Sequence, residues 1–293
     1  SLRFVAADGQ TQYGPTTHGA EILELLSKNM ANKDASNNAT TWWSPSVNGD
    51  ALFVVLDFPD KLAVKETLFA ITRISHLEFT AKDLALMPYS SGTCNIDTVC
   101  ESAYAYDAAA VAQIRFQSDG YTYTCSGTLL NNAAEDGKAY FLTAHHCVNT
   151  QTQASTIESQ WFMQAQVCQA PSVTIDPRYT IVTGGADLLF SAQTTDTSLL
   201  RLRGTLPIDV IYSGWDATGP AAISTPVANI HHPSGDIKKI SLGSISSYQN
   251  CSDEGAGYFQ CLTATGTTGN YIDVTLNSGT TEPGSSGSGL IRS

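Results

Sequence analysis

The chain has 293 residues, 42% hydrophobic and 14% charged, with 15 basic against 27 acidic side chains and a formal net charge of −12. That length exceeds one ordinary domain, and the charge argues against nucleic acid as a partner, because phosphate contacts need clustered Lys and Arg. No run of about 18 apolar residues occurs, so no membrane partner is expected, while the negative balance suits cationic substrates.

The opening "SLRFVAADG" reads as the middle of a sequence, so the expectation is that a leader has already been removed. "HGAEILELLSKNM" places Ile22, Leu25, Leu26 and Met30 on one helical face over His18–Met30. "VNGDALFVVLDFP" reads as a turn at Asn48-Gly49-Asp50 followed by a buried strand, and "LFAITRISHLEF" (Leu68–Phe79) as a second strand. Trp42-Trp43 reads as core or interdomain contact. The first region is therefore a small, mainly β unit with one helix. "ALMPYSSG" reads as an exposed connector, with the boundary near 82–93. Beyond it come short β-type runs separated by Gly, Asn, Asp and Pro: "AAVAQIRF", "TYTCSGTLL", "AYFLTA", "TSLLRL", "VIYSGW" and "YIDVTL". Many short strands with turn signals point to a sandwich or barrel.

Three stretches carry chemistry when taken together: "LTAHHC", "TTDTSLLRL" and "EPGSSGSG". A serine hydroxyl is a weak nucleophile until a histidine takes its proton. A carboxylate must hold that imidazole in one tautomer. Backbone N–H groups must face the developing oxyanion, and glycine allows the turn that aims them. The seven cysteines (94, 100, 125, 147, 168, 251 and 261) contain no CxxC pair, so disulfides and export are expected rather than a metal site. An odd count leaves one cysteine free or paired outside this chain.

The order His, Asp, Ser and the wording of the stretches resemble the chymotrypsin-fold serine proteases, with their T-A-x-H-C, D-x-x-L-L and G-x-S-G motifs. More closely, "SGTCNIDTVC", "CSGTLLNN", "YFLTAHHC", "VTGGADLL", "DTSLLRL", "YSGWDAT", "IHHPSGDIKKIS" and "EPGSSGSGL" resemble the bacterial lysyl endopeptidases, including the protease IV type. The first region resembles their propeptide. The resemblance implies a mainly β fold: a chymotrypsin-like double β-barrel over 83–293, preceded by a propeptide domain over 1–82.

It further implies a triad of His146, Asp196 and Ser286, with the backbone N–H groups of Gly284 and Ser286 as oxyanion donors. His145 fills the variable place of the first motif. Ser285 stands where animal trypsins have an Asp that pairs with the new N-terminus, so that activation switch is expected to be absent. The family framework implies Cys125–Cys147 and Cys100–Cys168, with Cys251 and Cys261 closing a local loop and Cys94 left over. In the relatives the partner of Cys94 lies beyond the nucleophile, together with the wall of the specificity pocket and the carboxylate that receives lysine. The chain stops at Ser293, so the expectation is that these C-terminal strands are absent, or present as a separate fragment bonded to Cys94. The relatives free the catalytic domain by cutting after a lysine, and Lys82-Asp83 stands twelve residues before Cys94, which makes it the expected self-processing site.

The implied protein is a secreted serine endopeptidase in proform, maturing in the periplasm or outside the cell and needing no metal or organic cofactor. Its partners would be protein or peptide substrates, cut after Lys, and its own propeptide. Two rivals stand beside this reading: a protease of the same fold that cuts after Glu or a small residue, and a non-catalytic binding protein on that fold. His231 and His232 read as structural residues of a turn before Pro233 rather than as metal ligands beside His145 and His146. "IKKIS" falls far short of a nucleic-acid patch.

Overall fold

The computed structural model describes residues 1–32, 39–59, 70–77, 90–170, 172–255 and 258–292. Lys82 and Asp83, and the domain boundary expected there, lie outside the described residues.

The N-terminal unit is an antiparallel sheet in the order β2–β1–β3, with β1 Leu2–Ala6, β2 Gln12–Thr17 and β3 Leu52–Leu56. Alternation along β1 buries Leu2 and Phe4, and Phe4 stacks on Trp42 at 6.1 Å between centroids. Helix α1 spans Gly19–Ala31 and starts where the His18 N–H donates to the Glu21 carboxylate at 2.9 Å. Its inner face carries Leu25 and Asn29, whereas Met30 is 53% exposed. Asn29 is fully buried because its side-chain amide donates to Ser155 Oγ at 3.0 Å, so a polar residue takes the place expected for Met30. Residues 70–77 form no strand. Ile71 and Ile74 are exposed there, and Ser75 bonds Thr122 across the domains at 2.6 Å.

Among the described residues, the second region contains two antiparallel sheets. The first runs β10–β11–β7–β6–β5–β8–β9. Its strands are β5 Val111–Ser118, β6 Tyr121–Leu130, β7 Tyr140–Thr143, β8 Glu158–Trp161, β9 Thr180–Val182, β10 Ala186–Ala192 and β11 Thr197–Leu202. Ile114, Leu129, Phe141, Trp161 and Leu200 fill its core. The second sheet is built on β13 (Lys239–Gly255), which pairs β12 (Pro226–His231), β14 (Tyr258–Thr263), β15 (Tyr271–Ser278) and the short β4 (Ile96–Asp97); β16 (Leu290–Ile291) extends it beyond β12. "VIYSGW" is not a strand; it touches the first sheet through a bridge between Leu130 and Ser213. Among the described residues the fold is thus mainly β, with one helix in the N-terminal unit.

The two units meet on α2 (Gln151–Ser155) and β10. Besides the Asn29 contact, Lys28 pairs with Asp187 at 3.1 Å and Glu158 accepts from Ser46 N–H at 2.6 Å. Burial alone would raise the Asp187 pKa. Hydrogen bonds from Arg201, Arg203 and Lys28 outweigh it and hold the carboxyl at about 2. The two lysines of "IKKIS" are fully buried staples. Lys239 pairs with Asp97 at 2.7 Å, and Lys238 donates to the Ala108 carbonyl at 2.6 Å. Burial brings Lys238 down to about 7.

Candidate active site

The end of β7 and the start of β11 lie side by side, with Thr143 opposite Ser198. Three residues beyond Thr143 comes His146, and two residues before Ser198 comes Asp196, so antiparallel pairing delivers both to one end of the sheet. Asp196 turns the chain into β11 in the left-handed conformation, φ 46°, which Asp tolerates better than most residues. Its two carboxylate oxygens divide their work: Oδ1 accepts the His146 backbone N–H at 2.9 Å and Oδ2 faces the ring Nδ1 at 2.7 Å. The bond to Asp196 raises the His146 pKa above its ordinary value, against the opposing effect of burial. Burial pushes the Asp196 pKa up, but the bonds from the His146 ring and N–H carry it below the usual value.

His145 points elsewhere. Its Nδ1 lies 2.7 Å from Ser191 Oγ, which meets Ser198 Oγ at 2.7 Å, and Ser198 donates to the Val148 carbonyl at 2.6 Å. This chain of hydroxyls ties the histidine loop to β10 and β11. Spacing in the sequence carries no signal for it, because Ser191 is 46 residues away. Cys147, directly after His146, is bonded to Cys125 on β6 and is buried in the core. Removing both sulfurs (Cys125→Ser with Cys147→Ser) should lower the unfolding free energy by about 3 kcal/mol, since the bond closes a loop of 22 residues. Denaturant unfolding measures it, and an unchanged midpoint would show that this staple contributes nothing. The remaining bonds are Cys100–Cys168 and, across facing positions of β13 and β14, Cys251–Cys261; Cys94 is exposed and makes no disulfide within this chain.

The Gly284–Ser286 turn lies between β15 and β16 and docks on β6. Ser126 N–H donates to the Ser286 carbonyl at 2.8 Å, and Ser126 Oγ donates to the Gly284 carbonyl at 2.8 Å. Gly287 shows how closely this turn meets the histidine loop. At φ +85° a Cβ there would sit 2.2 Å from Thr143 Oγ1 and 2.4 Å from the Ser126 carbonyl, so only glycine fits. Ser286 is therefore brought beside the loop that ends in His146, although among the described residues no hydrogen bond joins the two side chains. The two serines differ: Ser285 is buried and Ser286 is partly exposed. Glu282 anchors the turn from the other side, accepting from Gly92 N–H at 2.8 Å, Asn95 Nδ2 at 2.7 Å and Ser234 Oγ at 2.6 Å.

His231 and His232 are both buried, His231 between two serine hydroxyls and His232 against the Asp236 carbonyl at 3.0 Å.

Residues 89–293 match the family described as lysyl endopeptidase, C-terminal domain, and residues 1–78 match the lysyl endopeptidase N-terminal domain. The chain is 36% identical over 285 residues to a lysyl endopeptidase of Pseudomonas aeruginosa, covering 93% of this chain and 57% of that protein, so it spans little more than half the relative's length. It is also 26% identical over 196 residues to secreted RxLR effector protein 73 of Plasmopara viticola, covering 66% of this chain and 44% of that one. Among solved structures, it is similar to the HtrA-type protease AlgW with tripeptide, at 20% identity and a TM-score of 0.41, over 65% of this chain and 49% of the other. The MamO protease domain from Magnetospirillum magneticum gives 13% identity and a TM-score of 0.43, over 64% of this chain and 81% of the other.

Proposed function

The chain belongs to the lysyl endopeptidase family, and from that premise we propose that it is a secreted serine endopeptidase in proform that hydrolyses peptide bonds after lysine. Ser286 is the nucleophile. His146 takes its proton as general base and later gives a proton to the leaving amine. Asp196 holds the His146 ring with Nε2 turned toward the serine and stabilises the imidazolium. The Gly284 and Ser286 N–H groups bind the oxyanion, and water releases the acyl-enzyme. Residues 1–82 act as the propeptide, removed by a cut between Lys82 and Asp83.

The observation that carries this reading is the two-point grip of Asp196 on His146, 2.9 Å at the backbone and 2.7 Å at the ring. A surface histidine has no need of both bonds, whereas a base that must keep one tautomer does. Preference for lysine rests on the family and on the net charge of −12, which favours cationic substrates. The test is digestion of a mixed peptide library, read by mass spectrometry. Cleavage C-terminal to Lys is expected; cleavage mainly after Glu or Ala would assign another specificity. The same instrument reads the N-terminus of the processed enzyme, where Asp83 is expected.

A further inference from the structure

Ser285 stands between the two residues whose N–H groups are assigned to the oxyanion. The peptide plane after it carries the Ser286 N–H, and the Gly284 N–H lies one plane further back, inside the 282–285 turn that Ser285 closes by bonding Glu282 through its hydroxyl and its N–H. A chain of four hydrogen bonds runs from Thr280 through Ser241 and His231 to Ser285 and on to Glu282. Ser241 O–H donates to the Thr280 carbonyl at 2.7 Å, so Ser241 Oγ can only accept from His231 Nε2, 3.0 Å away. His231 Nε2 therefore carries the ring proton, and Nδ1 is an acceptor. Nδ1 lies 2.7 Å from Ser285 Oγ, which must donate to it. The Ser285 lone pair is then free to accept the Glu282 N–H at 3.1 Å. One neutral imidazole thus clamps the segment 280–285 at both ends, and every donor in the chain of bonds has its acceptor. The ring is fully buried, and burial, opposed by the Glu282 charge and aided by Lys239, keeps its pKa at about 4.

We propose that His231 is a positioning residue of the protease: acting through Ser285, it fixes the turn that presents the Gly284 and Ser286 N–H groups to the oxyanion. The proposal rests on the reading of Ser286 as nucleophile, and deepens it.

Asparagine can place its side-chain oxygen near the position of Nδ1, whereas glutamine can place its amide nitrogen near Nε2. The two substitutions therefore separate the halves of the clamp in the full-length chain as it is produced and processed. His231→Asn keeps an acceptor for Ser285 and should retain kcat within about threefold. His231→Gln keeps only the donor to Ser241. It and Ser285→Ala should each lower kcat about 100-fold with KM unchanged, the size expected for a misplaced oxyanion site. The double variant His231→Gln with Ser285→Ala should be no slower than either single one, because both break the same bond. Hydrogen exchange, which needs no catalysis, should quicken at the Glu282 and Ser285 amides, which donate to Ser285 Oγ and to the Glu282 carbonyl, in His231→Gln and Ser285→Ala, and stay slow in His231→Asn. Equal kcat and equal exchange in the Asn and Gln variants would overturn the proposal, since a ring that merely fills space does not distinguish its two nitrogens. Absence of any Ser286-dependent hydrolysis in the unaltered protein would instead remove the functional reading, while the exchange pattern would still decide the clamp.

Discussion

Ser286→Ala will lower the hydrolysis of a lysyl amide by about 10⁶-fold in kcat, His146→Ala will do the same, and the two together will do no more. The equality follows from the chemistry: an alcohol without its base and a base without its alcohol are equally unable to form the acyl-enzyme, so the second loss removes nothing further. Ser285→Ala is the internal control. Ser285 is buried and its hydroxyl is committed to His231 at 2.7 Å, so it has no proton transfer path to His146. Its loss acts on geometry alone and should stay near the 100-fold derived above. A second readout is labelling by a serine-directed phosphonate, which should reach the unaltered protein and Ser285→Ala but not Ser286→Ala. If Ser285→Ala were the more damaging change, or if the Ser286 and His146 effects multiplied, the assignment of the nucleophile would be wrong.

Much of this site is legible in the sequence because its parts are local. "TAHHC" and "GSSGSG" carry their geometry with them: Gly287 must be glycine for its own backbone angle and for the wall of Thr143 and Ser126 beside it. The apolar alternation of "TSLLRL" marks a strand, and the residue before a strand is where a turn places a side chain at the sheet's edge. What the sequence conceals is long-range bonding of polar residues. Asn29 takes the buried helix place that the apolar pattern gives to Met30, and only Ser155, 126 residues on, explains it. His231 and Ser285 are 54 residues apart, and nothing in either stretch names the other. Strand β13 is hidden for a different reason. Its stretch "KISLGSISSYQNCSDEG" is rich in Ser, Gly, Asn and Asp and is not among the β-type runs of the sequence, yet it runs for 17 residues. Pairing with β12, β14 and β15 overrides weak local preference, as strand propensity allows. The converse holds for "VIYSGW", which has β-type residues but only a single bridge to pair with.

Asp196→Asn is the sharper test of mechanism, because the geometry dictates how the new amide must sit. The His146 backbone N–H, 2.9 Å from Oδ1, requires an oxygen there. The asparagine NH₂ is then turned toward ring Nδ1, at the place where Oδ2 lay 2.7 Å away. Nδ1 must become an acceptor, so the ring proton moves to Nε2, the nitrogen that takes the proton of Ser286 in the proposed mechanism. The base is blocked by its own tautomer, and kcat should fall about 10⁴-fold. Folding should be unaffected, because Asn accepts the left-handed conformation at φ 46° as readily as Asp. The pH dependence supplies an independent check with a definite sign. His146 works as a base only when neutral, so activity is lost as pH falls through its pKa. The bond to the Asp196 carboxylate, with its charge, raises that pKa against the effect of burial. With the charge gone, the residual activity of Asp196→Asn should have its acid limb at lower pH than the unaltered enzyme. A variant that kept its full rate would show that the carboxylate does not set the tautomer. A limb displaced to higher pH would show that Asp196 is not what raises the basicity of His146.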